Sequence, residues 1–239
     1  MLARRPSRST LSASLFLLGF AGCNSLPGHP TRADYPLRPS AVTGYSELYN
    51  ENCAGCHGAD GKFGAALALN NPVYLSIVDD KRLTNIISRG VASTAMPPFA
   101  ESAGGSLTDE QIAIIVGGMR KKWAREGAAD GAPPYAANGA GDPSSGAKVF
   151  ETFCASCHGT DGNGGSAPGS IVDGSFLALT SDQDLRAIVI AGRPDLGHPG
   201  WKDYLAGEPM TAQQVSDVVA WLASKRPTKP RGASYAQRN

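Results

Sequence analysis

Two short stretches, Cys53-Ala54-Gly55-Cys56-His57-Gly58 and Cys154-Ala155-Ser156-Cys157-His158-Gly159, decide the organisation of this 239-residue chain. They differ at a single position and lie 101 residues apart. Further along, Gly90 matches Gly192 at an offset of 102. An offset that grows by one residue indicates a small insertion between otherwise matched elements, so the sequence contains one module twice.

Both copies have the periodicity of helices. Near the end of each copy, apolar residues recur at the spacing i, i+3, i+4, i+7, at Ile112, Ile115, Val116 and Met119 and at Val215, Val218, Val219 and Leu222. A capping box precedes each run, Thr108 with Gln111 and Thr211 with Gln214. Further helices are predicted over 43–52, 80–88, 145–153 and 181–190. Because strand-like alternation is nearly absent, we predict an all-α fold of two tandem domains.

Changes in composition set the predicted boundaries. The predicted segments are a signal peptide at 1–22, a Pro-rich tether at 23–41, domain 1 at 42–126, a linker at 127–143, domain 2 at 144–226 and a tail at 227–239. The linker is rich in Gly, Ala, Pro and Ser and has no apolar periodicity. We therefore expect the two domains to fold separately.

The N-terminal segment has the pattern of an export signal. Three arginines precede an apolar run, residues 11–20, that is too short to span a membrane. Phe20-Ala21-Gly22-Cys23 then resembles the end of a bacterial lipoprotein signal, in which Cys23 becomes the lipidated first residue. The alternative is ordinary cleavage nearby, which leaves Cys23 as a free thiol outside the cytoplasm. We expect a protein on the periplasmic side of the bacterial cell envelope, held at the membrane by a lipid anchor on Cys23.

Charge and composition exclude some functions. The formal net charge is +1, and removal of residues 1–22 takes away three arginines and no acid, which leaves 19 basic against 21 acidic residues. A chain without a basic excess is a poor candidate for nucleic-acid binding. Aromatic residues make up only 7%, so we expect a group other than side chains to fill part of each core.

The pattern Cys-x-x-Cys-His indicates the identity of that group. Two thiols three positions apart reach one edge of a porphyrin and add across its vinyl groups as thioethers, and the adjacent histidine gives its imidazole to the iron. A thioredoxin-like pair requires a βαβ context, and structural zinc requires more ligands than each copy offers. We therefore predict two covalently bound haem c groups. The residues in these roles are the haem-attaching Cys53, Cys56, Cys154 and Cys157 and the iron ligands His57 and His158.

Each copy is similar to the class I cytochrome c domains. These domains combine an N-terminal helix, the Cys-x-x-Cys-His-Gly motif, a Gly-rich loop, a distal ligand and a packed C-terminal helix. The resemblance covers nearly all of 42–226 and implies the cytochrome c fold, haem attachment in the periplasm and one-electron transfer. Met96, within Ala95-Met96-Pro97-Pro98-Phe99, matches the distal thioether ligand of the family.

Copy two has no methionine at the matching position. An offset of 102 places His198 opposite Met96. Met210 is the alternative distal ligand, but it matches Leu107, which directly precedes the capping box and has a packing role there. We predict His198 as the second distal ligand, with Met210 as the alternative and an open iron as a third case.

The expected function is electron transfer by a membrane-tethered dihaem cytochrome c. It would pass single electrons between redox proteins, as a shuttle or as a subunit of a respiratory or photosynthetic complex. The alternative is a small dihaem oxidoreductase or peroxidase that uses an open or labile sixth site on the second haem. A haem-based gas sensor ranks last, because no output domain accompanies the two copies.

Overall fold

The computed structural model describes Gly28, residues 34–165 and residues 168–227. Both copies lie in one compact unit, Pro39–Asn239. Cys23 and the predicted signal lie outside the described residues, so the lipid anchor stays a prediction. Within the described ranges, none of the helices combines the length and the hydrophobicity that crossing a membrane requires.

Each copy contains five α-helices among the described residues. In copy one they are α1 (Tyr45–Asn52), α2 (Ala54–His57), α3 (Pro72–Ile77), α4 (Asp80–Arg89) and α5 (Asp109–Trp123). In copy two they are α6 (Pro143–Phe153), α7 (Ala155–His158), α8 (Gly174–Leu179), α9 (Asp182–Ala191) and α10 (Ala212–Ser224). The described chain has no β-strand and only two isolated bridges, Ala100 with Leu107 and Arg193 with His198. The all-α prediction is confirmed.

Side-chain caps determine where the last helix of each copy begins. The Thr108 N–H donates to Gln111 Oε1 at 3.0 Å and the Gln111 N–H donates to Thr108 Oγ1 at 3.2 Å. Thr211 and Gln214 form the same reciprocal pair at 2.8 and 3.2 Å. All eight apolar positions predicted for α5 and α10 are buried. The position of the apolar face and the start of each helix are therefore both encoded by residues that are close in the sequence.

The first and last helices of each copy cross closely because one of them carries a glycine at the crossing. A Cβ on Gly118 of α5 would lie 2.0 Å from the ring of Tyr45 on α1. In copy two the glycine lies on the first helix instead, since a Cβ on Gly146 of α6 would lie 2.0 Å from the Asp217 carbonyl oxygen and 2.8 Å from the Cβ of Trp221, both on α10. Gly146 matches Tyr45 at an offset of 101 and Trp221 matches Gly118 at 103. The glycine thus lies on the last helix in copy one and on the first helix in copy two, and the two helices cross closely in both copies.

The two copies meet along a buried seam. Asn71, the N-cap of α3, is 2% exposed and donates from Nδ2 to the Ala191 carbonyl at the end of α9, at 2.8 Å. Tyr135, in the predicted linker, lies with its ring 6.5 Å from that of Tyr74 and accepts on its carbonyl from Arg186 Nε at 3.0 Å. The linker is thus part of the packing between the copies, and separate folding of the two domains stays a prediction.

Candidate haem sites

The two Cys-x-x-Cys-His motifs adopt the same backbone conformation. The N–H groups of His57 and His158 donate to the carbonyls of Cys53 and Cys154, at 3.0 Å in both copies. Gly58 then has φ 81° and ψ 152°, a region that is nearly exclusive to glycine. A Cβ at this position would lie 1.8 Å from a backbone oxygen. The motif is therefore a tight turn of fixed geometry.

The four motif cysteines have the chemistry of thioether attachment sites. None of the four forms a disulfide, and they are placed alike in the two copies, with Cys53 and Cys154 half-buried and Cys56 and Cys157 exposed. Structural zinc requires about four protein ligands, and no group of three or more metal-ligating side chains occurs in the described part of the chain. The pairs fit covalent haem and do not fit zinc.

The His57 ring is held by a backbone carbonyl. Nδ1 donates to the Leu67 oxygen at 2.7 Å, and because a carbonyl only accepts, Nδ1 carries the proton and Nε2 keeps its lone pair. Burial lowers the pKa of His57, so the imidazole is neutral near pH 7, which is the form that binds a metal. The arrangement fits a proximal iron ligand.

In copy two, the predicted proximal and distal histidines face each other. The ring centroids of His158 and His198 lie 5.8 Å apart. Two imidazoles that share one metal at about 2 Å each have nitrogens about 4 Å apart and ring centroids about 6 Å apart, so the observed spacing is compatible with a shared metal. Both Nδ1 atoms are buried without a hydrogen-bond partner. Burial, together with the nearby His158, lowers the pKa of His198 to about 4, and burial also lowers the pKa of His158, so both rings are neutral near pH 7.

The loops that follow α4 and α9 have the same register. Gly90 and Gly192 end these helices with φ of 66° and 72°. A Cβ on Gly90 would lie 2.6 Å from the carbonyl carbon of Pro97, and one on Gly192 would lie 2.7 Å from that of Pro199. These prolines directly follow the two predicted distal ligands, so both ligand side chains leave the backbone at equivalent points. Met96 is partly buried and packs against the core of copy one.

Met210 occupies the structural position of Leu107. The Met210 N–H donates to the Trp201 carbonyl at 2.8 Å, and the Leu107 N–H donates to the Phe99 carbonyl at the same distance. Met210 is 1% exposed and Leu107 is 4% exposed, each in the core of its own copy. The contacts of Met210 are therefore those of a packing residue.

Sequence reasoning missed Tyr204, which contacts the edge of His198. The two ring centroids lie 5.7 Å apart at an interplanar angle of 85°. The Tyr204 hydroxyl donates to the Val189 carbonyl at 3.1 Å, and burial raises the pKa of Tyr204. At the matching positions copy one has Glu101 and Ser102, so the repeat alignment contains no signal for this tyrosine.

Comparisons with known proteins agree with this geometry. The family model described as cytochrome C oxidase, cbb3-type, subunit III, matches residues 40–117, and the model described as cytochrome c matches residues 143–225. The cbb3-type cytochrome c oxidase subunit FixPc of Rhizobium leguminosarum bv. viciae is 28% identical over 184 residues, which are 72% of this chain and 58% of that protein. Subunit CcoP of Azospirillum sp. is 30% identical over 152 residues, 59% of this chain and 46% of that protein.

The chain spans about half the length of the curated relatives it matches. Among solved structures, a chain of the Kuenenia stuttgartiensis reducing HAO-like protein complex aligns over 81% of this chain and 100% of its own length, at 20% identity and a TM-score of 0.47. The two matched domains and the two Cys-x-x-Cys-His turns agree in place and number. The chain belongs to the class I c-type cytochromes, as a dihaem member with one covalently bound haem c in each of its two all-α domains.

Proposed function

We propose that this protein transfers single electrons between redox partners at a bacterial membrane, as a cytochrome c subunit of a respiratory complex. The bound haems supply the reversible Fe(III)/Fe(II) couple. The chain attaches each haem, orients it and adjusts its potential through the axial ligands. The residues proposed for attachment and proximal ligation are Cys53, Cys56 and His57 in copy one and Cys154, Cys157 and His158 in copy two.

The facing pair of His158 and His198 carries the proposal. Their ring centroids lie 5.8 Å apart, a spacing compatible with a shared metal. An iron that is ligated by both histidines would have no free position for a substrate. Such an iron suits an electron carrier, whereas a peroxidase needs an open position for peroxide. The observation therefore favours electron transfer over the oxidoreductase alternative.

The two irons are proposed to have unequal distal ligands. Met96 serves the first iron and His198 serves the second, while Met210 remains a packing residue. A thioether is a softer and weaker donor than imidazole and so favours Fe(II), which raises the reduction potential. Electrons would then move downhill from copy two to copy one.

The partner is proposed to be a membrane electron-transfer complex. The relatives in Rhizobium and Azospirillum are described as subunits of cbb3-type oxidases, which supports a respiratory partner. A lipid on Cys23 would hold the haem domains at the periplasmic face of the membrane. Cys23→Ser should release haem-loaded protein from membranes, as measured by fractionation. A mature wild-type chain without lipid by mass spectrometry would contradict the anchor.

A redox titration of the purified, haem-loaded protein tests the proposed function. We expect two separate one-electron steps, followed by absorbance. Carbon monoxide added to the reduced protein and hydrogen peroxide added to the oxidised protein should leave the spectra unchanged, because neither iron has a free position. Peroxide turnover at the second haem would support the peroxidase alternative and contradict the proposal.

A further inference from the structure

The loop that follows the first Cys-x-x-Cys-His motif is held by a side chain of the second copy. Arg193, directly after α9, is 8% exposed. Its Nη1 donates to the Ala66 carbonyl at 2.9 Å and its Nη2 donates to the Gly64 carbonyl at 3.0 Å. The matching residue of copy one is Val91, which has no donor. This contact across the seam is therefore a feature of copy two alone.

Asp195 completes the contact. Its carboxylate accepts from Arg193 Nε at 3.0 Å and from Nη2 at 2.8 Å, and the Asp195 side chain is 4% exposed. The same carboxylate accepts from the Phe63 N–H at 2.8 Å. Phe63 has φ 61°, a left-handed conformation that is uncommon without glycine. Two side chains of copy two thus satisfy three backbone groups of segment 63–66, in a forked geometry that lysine cannot reproduce.

These contacts reach both iron sites. Leu67, one residue beyond Ala66, supplies the carbonyl that accepts the His57 Nδ1 proton at 2.7 Å. On the other side, the backbone of Arg193 pairs with that of His198 in both directions, at 3.0 Å each. Arg193 therefore contacts the predicted distal ligand of the second iron through its backbone, and the loop behind the proximal ligand of the first iron through its side chain.

We propose that Arg193 is a positioning residue that links the two haem sites, and that it fixes the His57 ring by holding the 63–67 loop. The proposal rests on the proposed function, because it treats His57 as the proximal ligand of the first iron. The hydrogen bond at Nδ1 sets the basicity of a ligating imidazole and so contributes to the reduction potential. Loss of Arg193 changes that hydrogen bond without removing an iron ligand.

The ion pair with Asp195 allows position to be separated from charge. Arg193→Gln leaves an excess negative charge at the seam, and Asp195→Asn leaves an excess positive charge. If the pair acted through its electric field, these variants would shift the potential of the first haem in opposite directions. Because the pair acts by holding the loop, both variants release the same segment and shift that potential in the same direction.

The test uses the full haem-loaded chain in the reduced, low-spin state, in which NMR detects ring N–H groups. It measures exchange of the His57 Nδ1 proton with D2O. Arg193→Gln and Asp195→Asn should each speed this exchange about tenfold, because each removes a buried charge-assisted contact that restrains the loop. Arg193→Lys keeps the charge but loses the fork, so it should also speed the exchange.

Arg226→Gln is the matched control. Arg226 donates to the carbonyls of Leu177 and Thr180 and pairs with Asp182, all within copy two. This variant loses the same kind of contact but none across the seam. It should leave the exchange of the His57 proton and the potential of the first haem unchanged.

Two results would overturn the proposal. One is wild-type exchange of the His57 proton in Arg193→Gln. The other is opposite shifts of the first haem potential in Arg193→Gln and Asp195→Asn. Both leave the proposed function standing, because they are read against a wild-type protein with two six-coordinate haems. If the wild type itself lacks those haems, the proposed function fails first and independently.

Discussion

Copy one has Met96 where copy two has His198, although Gly90 and Gly192 make the same close contact with the proline that follows each of them. In each copy a glycine after the preceding helix packs against the peptide that follows the next proline. The repeat has therefore kept this contact and changed the side chain of the residue that precedes the proline. Among single changes near a haem, a change of axial ligand has one of the largest effects on the reduction potential.

The helix crossings differ in the opposite way. Tyr45 packs on Gly118 in copy one, whereas in copy two Gly146 packs on the backbone of Asp217 and the Cβ of Trp221. Here the side chains have changed places, but each crossing retains one large and one small residue. The scaffold therefore depends on summed volume, while the iron site depends on the identity of one donor atom.

Removal of the two distal side chains should give the largest effect. Met96→Ala should abolish the weak thioether–iron charge-transfer band of the oxidised protein and allow carbon monoxide to bind the reduced first haem. His198→Ala should leave the band intact and open the second haem instead. Near-infrared spectra and carbon monoxide titrations check both.

Met210→Ala is the control for that pair. Met210 is the one methionine of copy two and is fully buried, so its truncation should cost about 2–5 kcal/mol of folding free energy. Both haem spectra should stay as in the wild type. If Met210→Ala alters the haem spectra while His198→Ala does not, the two irons carry the same ligand set, and the proposed difference in ligation between the copies is wrong.

The exchanged position of the glycine at the helix crossing predicts that a second substitution restores stability lost through the first. Gly118→Trp alone should cost more than about 3 kcal/mol, because even a Cβ there lies 2.0 Å from the Tyr45 ring. Combination with Tyr45→Gly recreates the arrangement of copy two and should recover much of that loss. Thermal unfolding of the three variants measures the coupling, and additive effects in the double variant would argue against the exchange.

Alanine at the loop glycines should act on one copy at a time. Gly90→Ala and Gly192→Ala each place a Cβ within 2.6 Å of a backbone oxygen and require a backbone region nearly exclusive to glycine. Each should cost about 1–3 kcal/mol. Gly90→Ala should weaken ligation by Met96 only and Gly192→Ala ligation by His198 only, as read from the charge-transfer band and from ligand binding. Equal effects on both haems would show that the loops are not independent.

Met210→Leu should have the smallest effect. Leucine occupies the matching position of copy one at Leu107, and the two residues make the same backbone hydrogen bond. The exchange conserves volume, so it should change stability by less than about 1.5 kcal/mol and leave both haem spectra unchanged. Chemical denaturation followed by absorbance measures both quantities. Loss of a haem band in this variant would assign Met210 to the iron.

Features that depend on a few neighbouring residues were predictable from the sequence. The Cys-x-x-Cys-His turns, the two capping boxes and the apolar faces of α5 and α10 each lie within one or a few helical turns. The helices α3 and α8 were missed because six residues are too few to show a period.

The seam was not predictable, because its contacts join distant parts of the chain. Asn71 donates to a carbonyl 120 residues away, and Arg193 reaches back 127 residues to Ala66. No local pattern encodes such pairs. Arg193 is charged, whereas its counterpart Val91 is apolar. The repeat alignment, from which His198 was predicted as a ligand, therefore shows that the two residues differ but predicts no contact for Arg193.

The ligation difference between the two copies is tested most directly by the thioether–iron charge-transfer band of the oxidised wild-type protein, measured per haem. Haem content is determined on the same sample, and Met96→Ala supplies the zero. We expect a band intensity that corresponds to one methionine-ligated haem per protein molecule, which is half of the haem content. Intensity for two haems would assign a methionine to each iron and contradict His198 as the second distal ligand, and with it the downhill step from copy two to copy one.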